Sequence, residues 1–293
     1  MDVSSQKVTG VTLGGAGINS LAILPDGQTV WASSYAFASG GDILMLNPAT
    51  GRLNFTVGPT GALTFAPNGT VLDVANPAEV IALDVTSIGR MAAFHAGQLE
   101  NIGQAIPSPD GKYLYISLTF VSGSPTTPQE RVVLPPGDIV ALDASSLKAV
   151  TVINIPDGLG AIALTPDGST LVCTSNRGHI HLIGAATNTI AETFQLKPSN
   201  GLLVGLALAP NGSTAYTTDA QNNLLFEVSL TGQAPQIGIA VGMYPLGVAT
   251  TPDGSQAWVL TEAGLEIVNL ADGQAGGPVP LPGTPSAIVF RAP

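Results

Sequence analysis

Short runs of apolar residues recur along the chain, and each is bounded by a polar turn. Residues 21–24 and 206–209 are apolar runs that end at or near a proline, whereas residues 113–116 and 257–260 are aromatic or β-branched runs that follow a glycine. Runs of about four to eight such residues between turn signals are typical of β-strands rather than helices. The pattern therefore predicts an all-β chain of many short strands joined by tight turns.

A tripeptide of proline, Asp or Asn, and glycine separates the two kinds of run six times. By subtraction its prolines are 42, 42, 57, 44 and 42 residues apart, at Pro25, Pro67, Pro109, Pro166, Pro210 and Pro252. Proline ends the incoming strand, the short polar side chain bonds to its own backbone, and glycine supplies a positive φ. Each tripeptide is thus predicted to be a hairpin turn between two strands, A and B.

Two further strands complete each repeat. Strand D follows strand C after a polar turn, for example at residues 53–57, 150–155 and 190–196. Strand C, an apolar run after strand B, is predicted at residues 43–46, 80–83, 139–142, 180–183, 225–228 and 265–268. Four strands in about 42 residues form one blade of a β-propeller.

The two ends of the chain predict how the propeller closes. Residues 1–8 align with residues 142–149, so the chain opens at the end of a strand C and continues into a strand D at residues 8–13. Residues 286–290 are predicted to be another strand A, and a blade built from both termini removes exposed sheet edges. We expect one propeller domain over residues 1–293, with six complete four-stranded antiparallel blades and an incomplete seventh; the alternative is a six-bladed propeller with two surplus strands.

Charge and cysteine content narrow the classes of partner and site. Nine Lys and Arg, scattered along the chain, against twenty Asp and Glu give a net charge of −11, so we expect neither nucleic acid nor an anionic membrane as a partner. Cys173 is the only cysteine and stands in an apolar run, which excludes an intrachain disulfide and predicts a buried, unreactive thiol. No segment approaches the roughly twenty apolar residues of a membrane span, and residues 1–8 lack the apolar core of a signal peptide.

The repeat resembles the YVTN type of bacterial β-propeller, found in surface-layer-like proteins and organised like the lactonase-like propellers. The resemblance rests on the turn tripeptide and the strand spacing, and it covers nearly the whole chain. It implies WD40-like blades, an extracellular or periplasmic protein, and ligand binding at the channel mouth, where the B-to-C and D-to-A loops lie. It carries over no catalytic residue, because the repeated residues are structural.

Polar and aromatic residues of those loops are the candidate ligand-binding residues. The B-to-C loops contribute Tyr35, Asn176, Arg177, Asp219 and Glu262, with His179 at the start of a strand C, and the D-to-A loops contribute Glu100, Asn101, Asp157, Asn200 and Tyr244. An insertion of fifteen residues, 57 minus 42, extends the third B-to-C loop over residues 120–137 on the same face. Together they predict a polar, mildly acidic mouth; the alternative is that these loops are polar because they contact water.

His179 and His181 are two residues apart on a predicted strand, so both imidazoles point to one face. This spacing allows both to bind one divalent metal ion, with His95 or a carboxylate such as Glu262 as a third ligand. The alternative is burial between blades, because other repeats have apolar residues such as Val140 at the position of His181. We expect no cofactor, with a divalent metal as the alternative.

Three hypotheses for function remain open. The first is a non-enzymatic binding module, a monomer that presents its loops to a protein, a glycan or a small molecule, because no dense set of catalytic residues stands out. The second is a lactonase-like hydrolase or isomerase with a carboxylate, and a metal as an option, at the channel mouth; its basis is the resemblance. Its first candidates are Glu100, Asn101, Asn200 and His179. The third is one segment of a larger surface protein without a separate activity.

Overall fold

The computed structural model describes residues 17–35, 42–47, 52–57, 60–87, 89–96, 100–120, 137–198, 201–231, 236–279, 281 and 288. Their regular secondary structure consists of β-strands, numbered β1 to β24 in chain order. The first half contains β1 (Gly17–Ile23), β2 (Val30–Tyr35), β3 (Asp42–Asn47), β4 (Arg52–Val57), β5 (Ala62–Phe65), β6 (Val71–Ala75), β7 (Glu79–Asp84), β8 (Arg90–His95), β9 (Glu100–Pro107), β10 (Tyr113–Phe120), β11 (Gly137–Asp143) and β12 (Ala149–Ile155). The second half contains β13 (Leu159–Leu164), β14 (Thr170–Ser175), β15 (His179–Gly184), β16 (Thr189–Gln195), β17 (Leu203–Leu208), β18 (Thr214–Asp219), β19 (Leu224–Ser229), β20 (Ile237–Ala240), β21 (Gly247–Thr250), β22 (Gln256–Thr261), β23 (Gly264–Asn269) and β24 (Gln274–Ala275).

Each group of four consecutive strands forms one antiparallel sheet in which chain neighbours are also sheet neighbours. The first strands of successive sheets pack against each other in chain order, from β1 against β5 to β17 against β21. Sheets that meet along their first strands and share no strand are blades arranged around one axis. The chain is therefore a six-bladed β-propeller, and the four strands of each blade are strands A to D of the predicted repeat.

The six turn tripeptides all form A-to-B hairpins, as their chemistry predicts. In each turn the Asp or Asn side chain accepts a hydrogen bond from the backbone N–H two residues later, at 2.8 to 3.1 Å. The glycine has a φ between 69° and 71°, and its N–H bonds to the carbonyl three residues earlier. Glycine is required there because an L side chain rarely adopts that φ.

A second repeated feature is an irregularity in strand A beside a buried hydroxyl of strand B. The register between A and B shifts in blades 1, 3, 4 and 5. In blades 3, 4 and 5 a hydroxyl eight residues after the turn proline accepts a hydrogen bond from a strand A amide at 2.7 to 2.9 Å, in the pairs Ser117–Gln104, Thr174–Ala161 and Thr218–Gly205. The hydroxyl replaces the ladder partner that the bulge removes.

Apolar clusters lie between successive blades, and the strand B residue six positions after the turn proline faces the following blade. Trp31 of blade 1 meets Phe65 of blade 2 edge to face, with ring centroids 5.4 Å apart. Tyr115 of blade 3 and Tyr216 of blade 5 occupy the same position. Tyr115 belongs to the cluster between blades 3 and 4, and Tyr216 to the cluster between blades 5 and 6. Aromatic side chains at this position therefore join blades 1, 3 and 5 to the blades that follow them.

Blade 2 has an aspartate, Asp73, at this otherwise apolar or aromatic position. Its strand neighbours Leu72 and Val74 belong to the cluster facing blade 1, so Asp73 points the other way, toward blade 3, as does Ala75. Asp73 is 4% exposed, and its Oδ1 has no hydrogen-bond partner within the described part of the chain. Burial raises the pKa of this carboxyl to about 7.

Close backbone approach also constrains the entry to blade 2. A Cβ built on Gly61, just before β5, would lie 2.1 Å from the carbonyl oxygen of Ala75. Only glycine leaves room for the pairing of β5 with β6 at this point.

The six blades confirm the six complete repeats and match the six-bladed alternative. The strand expected at 8–13 lies outside the described residues; of 286–290 only Ile288 is described, and its side chain packs on the Trp258 cluster of blade 6. The insertion after Phe120 also lies outside them. Cys173 is fully buried, and burial raises the pKa of its thiol. Within the described ranges, no helix is long and apolar enough to cross a membrane.

Candidate functional site

The B-to-C turns and the D-to-A loops meet at one end of the propeller, which we call the mouth. In blade 4 the N–H of Asn176, in the B-to-C turn, bonds to the carbonyl of Gly158, in the D-to-A loop before that blade (3.3 Å). In blade 6 the N–H of Glu262 bonds in the same way to the carbonyl of Met243 (3.0 Å). The predicted B-to-C and D-to-A loops of blades 4 and 6 therefore lie at the same end of their blades. Two arrangements of side chains stand out there.

The first arrangement, the Asp157 cluster, lies between blades 3 and 4 and consists of Asp157, His179 and His181. Asp157 is in the D-to-A loop after β12, and both histidines are in β15. The Nε2 of His181 is 2.9 Å from Oδ1 of Asp157, and the Nδ1 of His179 hydrogen-bonds to Oδ2. The Nδ1 of His181 is 2.9 Å from the Oγ1 of Thr193. One carboxylate thus orients two imidazoles.

The charge of Asp157 decides the tautomers in this cluster. Burial alone raises its pKa, but attraction to His181 and hydrogen bonds from Ser175, His179 and His181 outweigh burial, so the pKa lies below its ordinary value. An ionised carboxylate only accepts hydrogen bonds, so the ring nitrogens facing it carry protons. In neutral His179 the Nε2 is then an acceptor, and among the described residues it has no hydrogen-bond partner. Its side chain is 28% exposed.

The predicted metal pair has its histidines side by side, but their nitrogens are engaged elsewhere. The two imidazole centroids are 5.9 Å apart, and one nitrogen of each ring bonds to Asp157. Within the part of the chain that the structure describes, no group of three or more His, Cys, Asp and Glu side chains is arranged to hold a metal ion. The free Nε2 of His179 is the nitrogen that remains for a ligand.

The second arrangement is the D-to-A loop of residues 241–246, between blades 5 and 6, which we call loop 5–6. Five of its backbone atoms are hydrogen-bonded to blades 5 and 6. The bonds are Val241 N to Asn223 O (3.0 Å), Gly242 N to Glu266 Oε2 (2.5 Å), Glu262 N to Met243 O (3.0 Å), Tyr244 N to Asn223 Oδ1 (3.0 Å) and Leu246 N to Leu260 O (2.8 Å). The backbone of loop 5–6 is therefore fixed by its neighbours.

The apolar side chains of loop 5–6 point to solvent. Met243 is 63% exposed, Tyr244 58% and Leu246 50%; together they form the loop 5–6 patch. Tyr244 has a φ of 51°, a left-handed conformation that costs a residue with a side chain about 1–2 kcal/mol. Backbone strain of this kind persists only where surrounding contacts impose it, and it is concentrated at functional sites.

Glu266 is the buried side chain that holds loop 5–6, and the sequence pattern did not reveal it. It is 7% exposed and pairs with Val259 of strand B. His181 occupies the equivalent position in blade 4, where it pairs with Cys173. The two positions are equivalent because Cys173 and Val259 each stand seven residues after a turn proline. The signal that could have found it is a polar residue at a strand C position that is apolar elsewhere, such as Phe226.

Three of the remaining predicted residues contact one of the two arrangements. Tyr244 and Glu262 are joined through loop 5–6, and Asn176 borders the Asp157 cluster through Gly158. Arg177 is exposed at the tip of the same B-to-C turn, and Asn101 is exposed on β9, bonded to neither arrangement. The side chains of Tyr35 and Glu100, and all of Asn200, lie outside the described residues.

Asp219 has a structural position rather than an open one. It is fully buried, and its Oδ1 accepts hydrogen bonds from the N–H groups of Gln221 and Asn222, both at 3.0 Å. Ser175 receives two equivalent bonds in blade 4, from Arg177 and His179. These side chains stabilise the B-to-C turns that present the mouth.

Comparison with known proteins supports the fold class, a six-bladed β-propeller, and no more. No family model and no curated protein matches the sequence. Among solved structures, Kuenenia stuttgartiensis hydrazine synthase is similar with a TM-score of 0.74 and 16% identity, over 92% of this chain and 88% of that one. The Myceliophteria thermophila Cps50 (Swd1) β-propeller domain is similar with a TM-score of 0.71 and 14% identity, over 92% and 87%. At such identities the likeness shows the fold alone.

Proposed function

We propose that this protein is a non-enzymatic binding propeller that captures a polypeptide segment on loop 5–6. The observation that carries the proposal is the combination of five backbone hydrogen bonds with three large apolar side chains that are at least half exposed. A loop held in this way loses little conformational freedom on binding, which favours affinity.

The composition of the loop 5–6 patch favours a polypeptide over a glycan or a small molecule. Tyr and Met are enriched at protein interfaces, and tyrosine is frequently an anchor residue there. All three side chains of the patch are at least half exposed, so they can form one side of a contact with a chain that lies across them. A small ligand usually requires concave burial of most of its surface.

A displayed library of random dodecapeptides tests this proposal. Peptides are selected on the wild-type protein and then measured on two triple variants. The first changes Met243, Tyr244 and Leu246 to Ser; the second changes Met91, Val150 and Val152 to Ser. The second is a matched control, because its three side chains are 59%, 55% and 58% exposed but lie on strands D at the outer edge.

We expect the selected peptides to lose at least about tenfold in affinity on the loop variant and to keep their affinity on the outer-edge variant. Equal affinity on both variants, or no enriched peptide at all, would contradict the proposal. Circular dichroism of both variants checks that the blades stay folded, because the changed side chains are exposed.

A second candidate function, a lactonase-like hydrolase, has one observation in its favour. Asp157 orients His179, whose partly exposed Nε2 has no partner among the described residues, which is the geometry of a general base that takes a proton from water. A panel of lactones and esters, assayed with and without a chelator on the wild type and on His179→Gln, tests it. Turnover that the substitution abolishes supports a hydrolase, and loss of turnover with chelator adds the divalent metal. Absence of turnover on the whole panel rejects it.

The YVTN-type resemblance and an extracellular or periplasmic location belong to the same proposal. They rest on the turn tripeptide and the strand spacing. Fractionation of the native host with an antibody against the propeller tests the location. A purely cytoplasmic signal would contradict it.

A further inference from the structure

The charge of the chain is divided unevenly between the blades. Between Lys197 and Arg291 the sequence has no Lys, Arg or His over residues 198–290, a stretch that contains blades 5 and 6. The same stretch has six acidic residues: Asp219, Glu227, Asp253, Glu262, Glu266 and Asp272. Before this stretch the chain has eight Lys and Arg. It also has fourteen Asp and Glu there, which is the total of twenty minus these six. The blades that carry loop 5–6 therefore have no positive side chain of their own.

Three of these acidic residues lie at the mouth end of blades 5 and 6, and of the three only Glu262 is exposed. Glu262 is exposed, and its N–H bonds to Met243 of loop 5–6. Glu266 bonds to Gly242 of the same loop from the buried side, and Asp219 caps the B-to-C turn of blade 5. Asp253 and Asp272 lie in the A-to-B and C-to-D turns, at the opposite end of the blades.

We infer that the segment captured by the loop 5–6 patch is a cationic apolar one, with Lys or Arg flanking the apolar side chains that contact Met243, Tyr244 and Leu246. This inference rests on the proposed function and adds the chemistry of the partner. Apolar contact supplies most of the affinity, whereas complementary charge selects the partner and speeds association. An acidic segment meets the carboxylates of blades 5 and 6, which have no Lys, Arg or His of their own, so it is repelled.

Blades 5 and 6 also lack the cations with which a protein surface attracts an anionic membrane. Peripheral binding to anionic lipid combines apolar side chains with nearby Lys and Arg. The loop 5–6 patch supplies the apolar side chains, but residues 198–290 contain no Lys or Arg. A vesicle of phosphatidylcholine with about a fifth phosphatidylserine is therefore included in the test as a competing occupant.

The test uses the peptides selected on the full-length wild-type protein. Three synthetic forms of the best peptide are compared by fluorescence anisotropy: the selected form, a form with each Lys and Arg changed to Glu, and a form with the apolar residues changed to Ser. Each is measured at low and high salt, on the wild type and on Glu262→Gln. Asp272→Asn is the matched control, because it removes the same charge at the opposite end.

We expect Lys and Arg to outnumber Asp and Glu in the selected peptides, and the Glu-flanked and Ser-substituted forms each to bind at least about tenfold more weakly. Glu262→Gln is expected to weaken binding about two- to fivefold at low salt, with a smaller effect at high salt, and Asp272→Asn to change it less than twofold.

The outcomes separate the inference from the proposal beneath it. If Glu-flanked peptides bind equally well and the loop variant still abolishes their binding, the cationic partner is wrong and the binding function stands. If the Ser-substituted form binds as well as the selected one, the attraction is charge alone and the inference is wrong. If no peptide responds to the loop variant, the proposed function fails. Vesicle binding that the loop variant abolishes, with no peptide selected, makes a membrane the occupant and overturns both.

Discussion

Neutralising Asp73 should make the propeller more stable at neutral and alkaline pH. The carboxyl stands at the blade 2 to blade 3 interface, 4% exposed, where Trp31, Tyr115 and Tyr216 stand in other blades. Its pKa is raised from 3.8 to about 7 by burial. Because the folded state holds a proton that the unfolded chain releases between these values, stability falls as pH rises through that range and is constant above it.

The size of the effect follows from the pKa. A difference of about three pKa units corresponds to about 4 kcal/mol of unfolding free energy that is lost between about pH 4 and pH 7. Asp73→Asn keeps the shape and removes the charge, so its advantage in stability over wild type should be near zero at about pH 3, about 1.5 kcal/mol at pH 5 and about 4 kcal/mol at pH 8. Asp73→Val should add stability at every pH, because it also removes the unpaired Oδ1.

Urea unfolding of wild type and Asp73→Asn at several pH values measures this difference. Taking the difference between two proteins cancels the background from the remaining charges. Asp110→Asn is the control: hydrogen bonds from Ser108 and Lys112, with its salt bridge to Lys112, lower the pKa of Asp110 to about 2, so the change should not remove the slope between pH 4 and 7. A wild-type minus Asp73→Asn difference that does not change with pH would refute the reasoning.

Three other substitutions probe the contacts described above. Asp157→Ala removes the acceptor shared by two imidazoles and should destabilise the fold by about 2–4 kcal/mol in urea unfolding; no change would mean that the cluster contributes nothing to stability. Gly61→Ala places a Cβ 2.1 Å from a backbone oxygen and should lower the free energy of unfolding by at least about 3 kcal/mol. Gly277→Ala is the control and should leave stability unchanged, because no described atom lies within 4 Å of its added Cβ. Equal melting temperatures of the two variants would contradict this. Thr218→Val leaves a buried strand A amide unpaired and should cost about 1–3 kcal/mol, and a melting temperature equal to that of wild type would show that the bulge needs no hydroxyl.

The fold was predictable because its determinants are local. The Pro, Asp or Asn, Gly turn fixes a hairpin through three adjacent residues, and its spacing counts the blades without any knowledge of long-range contacts. The hydroxyls of Thr174 and Thr218 were also recurrent, eight residues after a turn proline, but their meaning depends on a bulge in another strand. A repeat reveals which residues recur and leaves open what they contact.

The candidate site was predictable only in part, since it depends on residues that break the repeat. His179, Tyr244 and Glu262 were found because loop residues are natural candidates. Asp157 was placed in a loop but not linked to the two histidines, because 22 and 24 residues separate it from them. Met243 and Leu246 were missed since apolar residues in a loop of an apolar chain give no signal until their exposure is known.

The two arrangements at the mouth arise from one structural exception. His181 and Glu266 occupy the same strand C position, which is apolar in the other blades, and each extends to the D-to-A loop that precedes its own blade. Burying a polar side chain between blades is unfavourable unless it is hydrogen-bonded, and here the hydrogen bond fixes a loop at the mouth. Asp73 is the contrasting case: it is buried between blades, its Oδ1 has no partner, and it holds no loop. A polar side chain buried between blades therefore marks a candidate site where it bonds to a D-to-A loop, and it lowers stability where, as at Asp73, an oxygen is left without a partner among the described residues.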